Sequence, residues 1–238
     1  MKLYDSIIQE TQQIISDAEP AVCPFEGGRV WKDRGESELI MHRDTAFELG
    51  GGGNPSVNYT CVTTSGLIPR DEIIICGPDL PQITQDVPFS RIVLLEVDDL
   101  KETEDTEQAY EAIRNIEYVR YHVFPAGYMV RVSSTTNQEQ VRVSRAAARA
   151  GISFRYIGGT YIRKYRKIPR VRHVCVIFAT DREVVEKLLP FAGKVDDITR
   201  TLTHILDGLP TDCGHCSMKS VCDEVEGMKE LHLGKKKG

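Results

Sequence analysis

The residues best suited to chemistry stand near the C-terminal end. Cys213, Cys216 and Cys222 are spaced C-x2-C-x5-C in Leu209-Pro-Thr-Asp-Cys213-Gly-His-Cys216-Ser-Met-Lys-Ser-Val-Cys222. A two-residue gap lets one turn of backbone aim two thiolates at one centre, and Pro210 and Gly214 permit the tight path. Three cysteines so close together in a loop are poor core filler. Two inorganic centres suit them, an iron–sulfur cluster and zinc. A [4Fe–4S] cluster takes four ligands, usually all cysteine. The fourth must then come from a distance, with Cys23, in a Pro/Gly-rich loop, the first choice and Cys61 the second. Zinc would instead take the three thiolates with His215, His204 or His232 as a Cys3His site. Reduced, unliganded thiols are the plain alternative.

A second signal is charge. Between Arg142 and Arg172 the chain carries ten basic residues and no acidic one, whereas Glu96 to Glu117 is strongly acidic. Arginine's guanidinium fork holds two oxygens at once, which suits phosphates and carboxylates. Arg142, Arg145, Arg149, Arg163, Arg166 and Arg172 are the candidate anion-binding positions. Coenzyme A, with its pyrophosphate and 3′-phosphate, would fit such a surface, as would an acidic redox partner; nucleic acid fits less well. The competing reading is a solvated face neutralised by the acidic segment of the same chain. The glycine run Gly50 to Gly53 lacks the Lys-Ser/Thr of a phosphate loop and reads as a turn. Trp31 reads as packing, and no Ser/His/Asp set or H-E-x-x-H helix is present.

The rest of the composition bounds what must position these residues. With 238 residues and a net charge of −5, the chain suits one compact domain with appendages. Seven cysteines, an odd number, argue against a disulfide framework, and Cys76 and Cys175 lie in apolar runs as core residues. The apolar stretches are strand-sized, far short of the roughly 20 residues of a membrane helix. The opening Met1-Lys-Leu-Tyr-Asp5 has no signal-peptide core. A cytoplasmic protein without a membrane partner is the expectation.

Apolar spacing predicts a helix over 3–17, ended at Glu19-Pro20. A loop follows through Gly28, with short strands expected over 29–32 and 38–43. Runs rich in β-branched residues predict strands over 59–64, 72–76, 91–97, 128–133, 140–143 and 173–180. Helices are expected over 106–122, from the Ser144 cap to Gly151, over 159–167, and after Asp181. That last helix should break near Pro190 or Gly193, with another over 195–206 capped by Gly208. The sum is an α/β fold, a mixed β-sheet with packed helices. Its domain plan is an N-terminal helix (1–20), an α/β domain (21–208), and a cysteine cluster with its tail (209–238).

Several segments, in order, resemble the beta subunit of the CO dehydrogenase/acetyl-CoA synthase complex. They are Phe25-Glu-Gly-Gly-Arg-Val30, Ala46-Phe-Glu-Leu-Gly-Gly-Gly52, Ile74-Ile-Cys-Gly-Pro-Asp79, Val141-Arg-Val-Ser-Arg145 with Ala150-Gly151, and Val174 to Asp181, followed by the clustered cysteines. The resemblance implies the α/β middle domain of that family, whose arginine-rich surface is associated with coenzyme A; Arg142 and Arg145 are then the positions to bet on. It also implies cluster ligands at Cys213, Cys216 and Cys222. This chain departs from the family pattern: its third cysteine comes sooner, no cysteine follows Cys222, and Val141 replaces the aromatic residue before Arg-Val-Ser. The family's Cys-Gly-Cys nickel site lies in a further domain without counterpart here, so no nickel site is expected. The resemblance thus implies an iron–sulfur accessory or partial subunit, serving electron transfer, docking or coenzyme A binding in anaerobic one-carbon metabolism. Its partners would be CO dehydrogenase/acetyl-CoA synthase-type proteins or a redox protein. A zinc-stabilised binding module and one chain of a split synthase are the alternatives.

Overall fold

Runs of β-branched and apolar residues, most of them buried on both faces, collapse into one mixed sheet because each must satisfy its backbone within a ladder, and an exposed fifth strand adds to its edge. In the computed structural model, which describes residues 3–27, 30–32, 43–98, 106–123, 125–132 and 139–207, that sheet has the order β1-β4-β8-β5-β3. Its strands are β1 (Ala21–Pro24), β3 (Ser56–Thr63), β4 (Glu72–Cys76), β5 (Phe89–Val97) and β8 (Val171–Ala179). β4 and β8 are parallel, as are β3 and β5, while β5 and β8 meet antiparallel at the centre. A smaller antiparallel sheet, β2-β7-β6, is formed by β2 (Ala46–Leu49), β6 (Tyr128–Val132) and β7 (Glu139–Ser144).

Helices cover both faces of the large sheet. Strand residues alternate in direction, and β3 shows the result. Tyr59 points to α1 (Asp5–Asp17), where its hydroxyl meets Thr11 at 2.7 Å. The adjacent Thr60 faces Tyr165 of α4 (Phe154–Tyr165). Alongside α1 lies α5 (Arg182–Asp207), packed on β3 and β5, whereas α4 lies on β8 and β4 with α2 (Thr106–Tyr121) beside it. In α4, Phe154, Ile157, Gly158, Tyr161, Ile162 and Tyr165 form the buried stripe of a 3.6-residue period. Gly158 is required for close approach: a Cβ there would sit 2.8 Å from Ile73 Cγ1. No helix among the described residues is long and apolar enough to cross a membrane.

The α/β expectation holds, and the differences in detail have physical causes. Residues 21–24 form an edge strand, not a loop, because β4 offers them an open edge with Cys23 opposite Ile73. Val30, Trp31 and Lys32 form no strand; Trp31 is anchored by its indole N–H donating to the Ala126 carbonyl at 2.9 Å. The expected strand at 38–43 lies outside the described residues, apart from Arg43, which begins a 3-10 turn (Arg43–Thr45). The glycine run is the turn expected, with Gly50, Gly52 and Gly53 at positive φ. As expected, the Ser144 hydroxyl accepts from the Ala147 N–H at the start of the short helix α3 (Arg145–Arg149).

Two helix boundaries moved. α4 begins five residues before Gly159 because its first N–H is satisfied from afar: Asp79 Oδ1 accepts from the Phe154 N–H at 2.7 Å, as well as from Leu80 in its own turn. α5 does not break at Pro190 or Gly193. Val184, Leu188, Phe191 and Val195 stay in phase across the proline. Pro190 itself is exposed, so the carbonyl it leaves without a partner faces water.

Candidate functional site

Cys213, Cys216 and Cys222 lie outside the described residues, as do His215 and His232. Of the described cysteines, Cys61, Cys76 and Cys175 are at most 2% exposed in their strands. Burial raises all three thiols, Cys76 to about 11. Such enclosed thiols are poorly placed to reach a cluster, Cys61 among them. Cys23, half-buried on the edge strand β1, keeps some access. Among the described residues no three His, Cys, Asp or Glu side chains gather as a metal site.

The six candidate arginines fall into separate groups. Arg142 and Arg145 both engage β2. Arg142 donates from Nε and Nη2 to Glu48 Oε1, at 2.8 and 2.6 Å, and Arg131 joins at 3.1 Å. Arg145 stacks its guanidinium over Phe47, 5.0 Å from the ring centroid. Arg149 is exposed at the end of α3. Arg163 is on α4, donating to Thr160 at 3.1 Å, and burial lowers its affinity for a proton. Arg166 and Arg172 lie near the start of β8, the first 3.6 Å from Asp71 and the second paired with Asp98. The Arg172–Asp98 pair joins the basic run to the acidic segment. Arg142, Arg155 and Arg166 find Glu48, Glu26 and Asp71 instead.

The densest polar chemistry lies between the two sheets and was missed in the sequence. Arg91 on β5 is 1% exposed and Glu139 on β7 is 2% exposed, and Nη2 of the first meets Oε2 of the second at 2.7 Å. Arg91 Nη1 also donates to the Arg120 carbonyl at 2.7 Å and to the Tyr161 hydroxyl. Burial works against the Arg91 charge, but Glu139 and then the hydroxyls of Tyr161, Tyr128 and Tyr165 more than offset it, so the guanidinium holds its proton more firmly than usual. Burial pushes the Glu139 carboxyl upward, with Arg91 and Arg120 pulling it back. The available signal was Arg91 itself, a charge within the apolar run Phe89 to Val97, which demands a buried partner.

A cavity of about 270 Å³ opens beside this network. One wall is α2, with Glu117, Arg120 and Tyr121; the other is α5, with Asp196, Thr199 and Arg200; Asn58, Val132 and Glu139 complete it. Arg120 Nη2 donates to the Asn58 carbonyl at 3.1 Å and to its side-chain oxygen. Thr199 is held to the Tyr4 hydroxyl at 3.1 Å.

The fold defines an α/β protein with a mixed five-stranded sheet, a small antiparallel sheet, and a buried ion pair joining them. The sequence model of the CO dehydrogenase/acetyl-CoA synthase complex beta subunit matches residues 25–185, and the chain belongs to that family. No curated protein matches it. The matched stretch holds β2 to β8, the six candidate arginines and the Arg91–Glu139 pair. It ends in the first turn of α5, so Cys23, the three clustered cysteines and the α5 wall of the cavity lie beyond it.

Proposed function

We propose that the chain is an iron–sulfur accessory or partial subunit of a CO dehydrogenase/acetyl-CoA synthase-type system. The observation that carries this is the C-x2-C-x5-C cluster at Cys213, Cys216 and Cys222, which follows a domain of the beta-subunit family. Those three thiolates would hold the group, with Cys23 as the fourth ligand; a bound [4Fe–4S] cluster supplies one-electron transfer. The burial of Cys61, Cys76 and Cys175 supports Cys23 over the other described cysteines. Partners of the same complex, or a redox protein, are the surfaces it would serve. Coenzyme A is the small ligand proposed for the basic residues, with the exposed Arg149 and the stacked Arg145 its first contacts.

Anaerobic reconstitution with iron and sulfide, followed by iron, sulfide, nickel and zinc analysis, tests the reading. About four irons and four sulfides per chain are expected, with the visible absorption of a cluster lost in Cys213→Ser. A chain that takes up neither iron nor sulfide overturns it. One zinc per chain in place of iron would instead favour the zinc-stabilised Cys3His module, with His215, His204 or His232 as the fourth ligand. Titration calorimetry with coenzyme A, expected to weaken with salt and in Arg145→Ala, tests the anion role separately.

A further inference from the structure

Among the described residues the two sheets present four outer edges, and three of them carry a block. On β1 the Phe25 N–H donates to the Asp71 carbonyl, so Cys23 and Phe25 turn their backbone groups to β4. The outward positions are then Val22 and Pro24, with Pro20 just before, and a proline offers no N–H to a further strand. On β3 the Arg120 guanidinium takes the Asn58 carbonyl. On β2 the Glu48 N–H donates to Asp86 Oδ1 at 2.8 Å, and its carbonyl accepts from the Val87 N–H at 3.2 Å.

The fourth edge, β6, is open. The Ser144 N–H donates to the Gly127 carbonyl at 2.9 Å, which with Tyr128 opposite Val143 fixes the alternation. Met129 and Arg131 turn their N–H and C=O groups to β7, and Tyr128, Val130 and Val132 turn theirs outward. The Tyr128 N–H is taken by the Pro125 carbonyl at 3.0 Å. The N–H and C=O of Val130, the N–H of Val132 and the carbonyl of Tyr128 have no partner among the described residues. Tyr128-Met-Val-Arg-Val132 holds no proline, glycine or lysine, and Val132 is 51% exposed. An unshielded edge of this composition is a template for another strand.

We propose that β6 is the contact through which two copies of this chain pair, antiparallel and centred on Val130. The free groups complement themselves in that register. Each Val130 exchanges N–H···O=C bonds with its copy, and each Val132 N–H meets the Tyr128 carbonyl of the other copy, four bonds in all. Met129 stands opposite Arg131, whose charge its own Glu48 holds at 3.1 Å, so no like charges stand directly opposite. The two small sheets become one of six strands whose outer ends are the blocked β2 edges, which closes the assembly at two copies. Five residues a side fall short of the roughly 1,200 Å² of a tight interface, so the dimer is weak, with a dissociation constant on the order of 10 µM. The pairing is independent of the proposed cluster.

Analytical ultracentrifugation of the full chain, kept reduced so that no disulfide links copies, tests it from about 1 to 500 µM. A monomer–dimer equilibrium is expected, with the Val130 amide exchanging its hydrogen more slowly as the concentration rises. Val130→Pro removes an outward N–H and leaves the bonds to β7 whole, and Val132→Lys sets a charge at the seam. Each should weaken the dimer at least about tenfold, with circular dichroism unchanged; if Val130→Pro does not fold, Val132→Lys decides. A chain that stays monomeric throughout overturns the proposal and leaves the edge to a strand of another protein. A dimer that the folded variants leave unchanged overturns it as well.

Discussion

Replacing Glu139 by Gln keeps the shape of the side chain and removes its charge, leaving the Arg91 guanidinium buried without a counter-ion. Arginine cannot escape by losing its proton. At 2.7 Å and an effective dielectric of about 20, the pair attracts by about 6 kcal/mol, most of which offsets the desolvation of two ions that are 1–2% exposed. Losing one partner of such a pair costs about 3–5 kcal/mol. In a chain of this size that lowers the melting midpoint by roughly 6–20 °C. Arg91→Met should cost more than Glu139→Gln, because it also abandons the Arg120 carbonyl and the Tyr161 hydroxyl. The double variant Arg91→Met/Glu139→Leu should cost well under the sum of its singles, since no charge is left stranded. Urea unfolding followed by circular dichroism completes the cycle. If Glu139→Gln costs under about 1 kcal/mol, or the singles add within about 0.5 kcal/mol, the two groups are not a coupled ion pair and the reasoning fails.

Pro190→Ala should stabilise the protein by about 1–3 kcal/mol, since it restores an N–H to an exposed position inside a continuous helix; a lower midpoint would show that the helix needs its proline. Gly158→Ala should cost about 1–3 kcal/mol, because its Cβ would press within 3 Å of two Ile73 carbons, and unchanged stability would mean that Ile73 moves freely aside. Burial raises the phenols of Tyr4, Tyr59, Tyr128 and Tyr165, and that of Tyr161 to about 12, from an ordinary value of 10.0. The unfolded chain therefore sheds these protons first as pH rises past about 10, and each phenol removes about 1.4 kcal/mol of stability per pH unit until its folded value is reached. The tyrosinate absorbance of these five phenols should appear in one cooperative step together with loss of circular dichroism. Smooth titration of all nine tyrosines near pH 10 with the fold intact would contradict this.

Much of the fold was readable from period and residue type. The strands Glu72–Cys76 and Phe89–Val97 and the helix Asp5–Asp17 declare themselves through apolar spacing, because local pattern and final burial agree. What escaped depended on distant partners. β1 is a strand only because β4 has a free edge, and α4 starts at Phe154 only because Asp79 caps it across 75 residues. Pro190 misled because a proline's cost depends on which side of the helix it faces. The basic run looked like one surface, yet its arginines divide among Glu48, Asp71, Glu26 and Asp98, since spacing along a strand–helix–strand segment says little about where long side chains end. The Arg91–Glu139 pair joins positions 48 residues apart on different sheets, beyond the reach of any local motif.

Asp79 also bears on the order of events during folding. Its carboxylate serves two helical starts, the 3-10 turn after β4 and the first amide of α4, and burial raises its affinity for a proton despite those two bonds. The first turn of α4 thus lacks its cap until the β4 corner has docked, so this helix matures through long-range assembly. The Phe154 amide should accordingly exchange its hydrogen with solvent at the rate of the sheet's global opening, far more slowly than an ordinary frayed helix end.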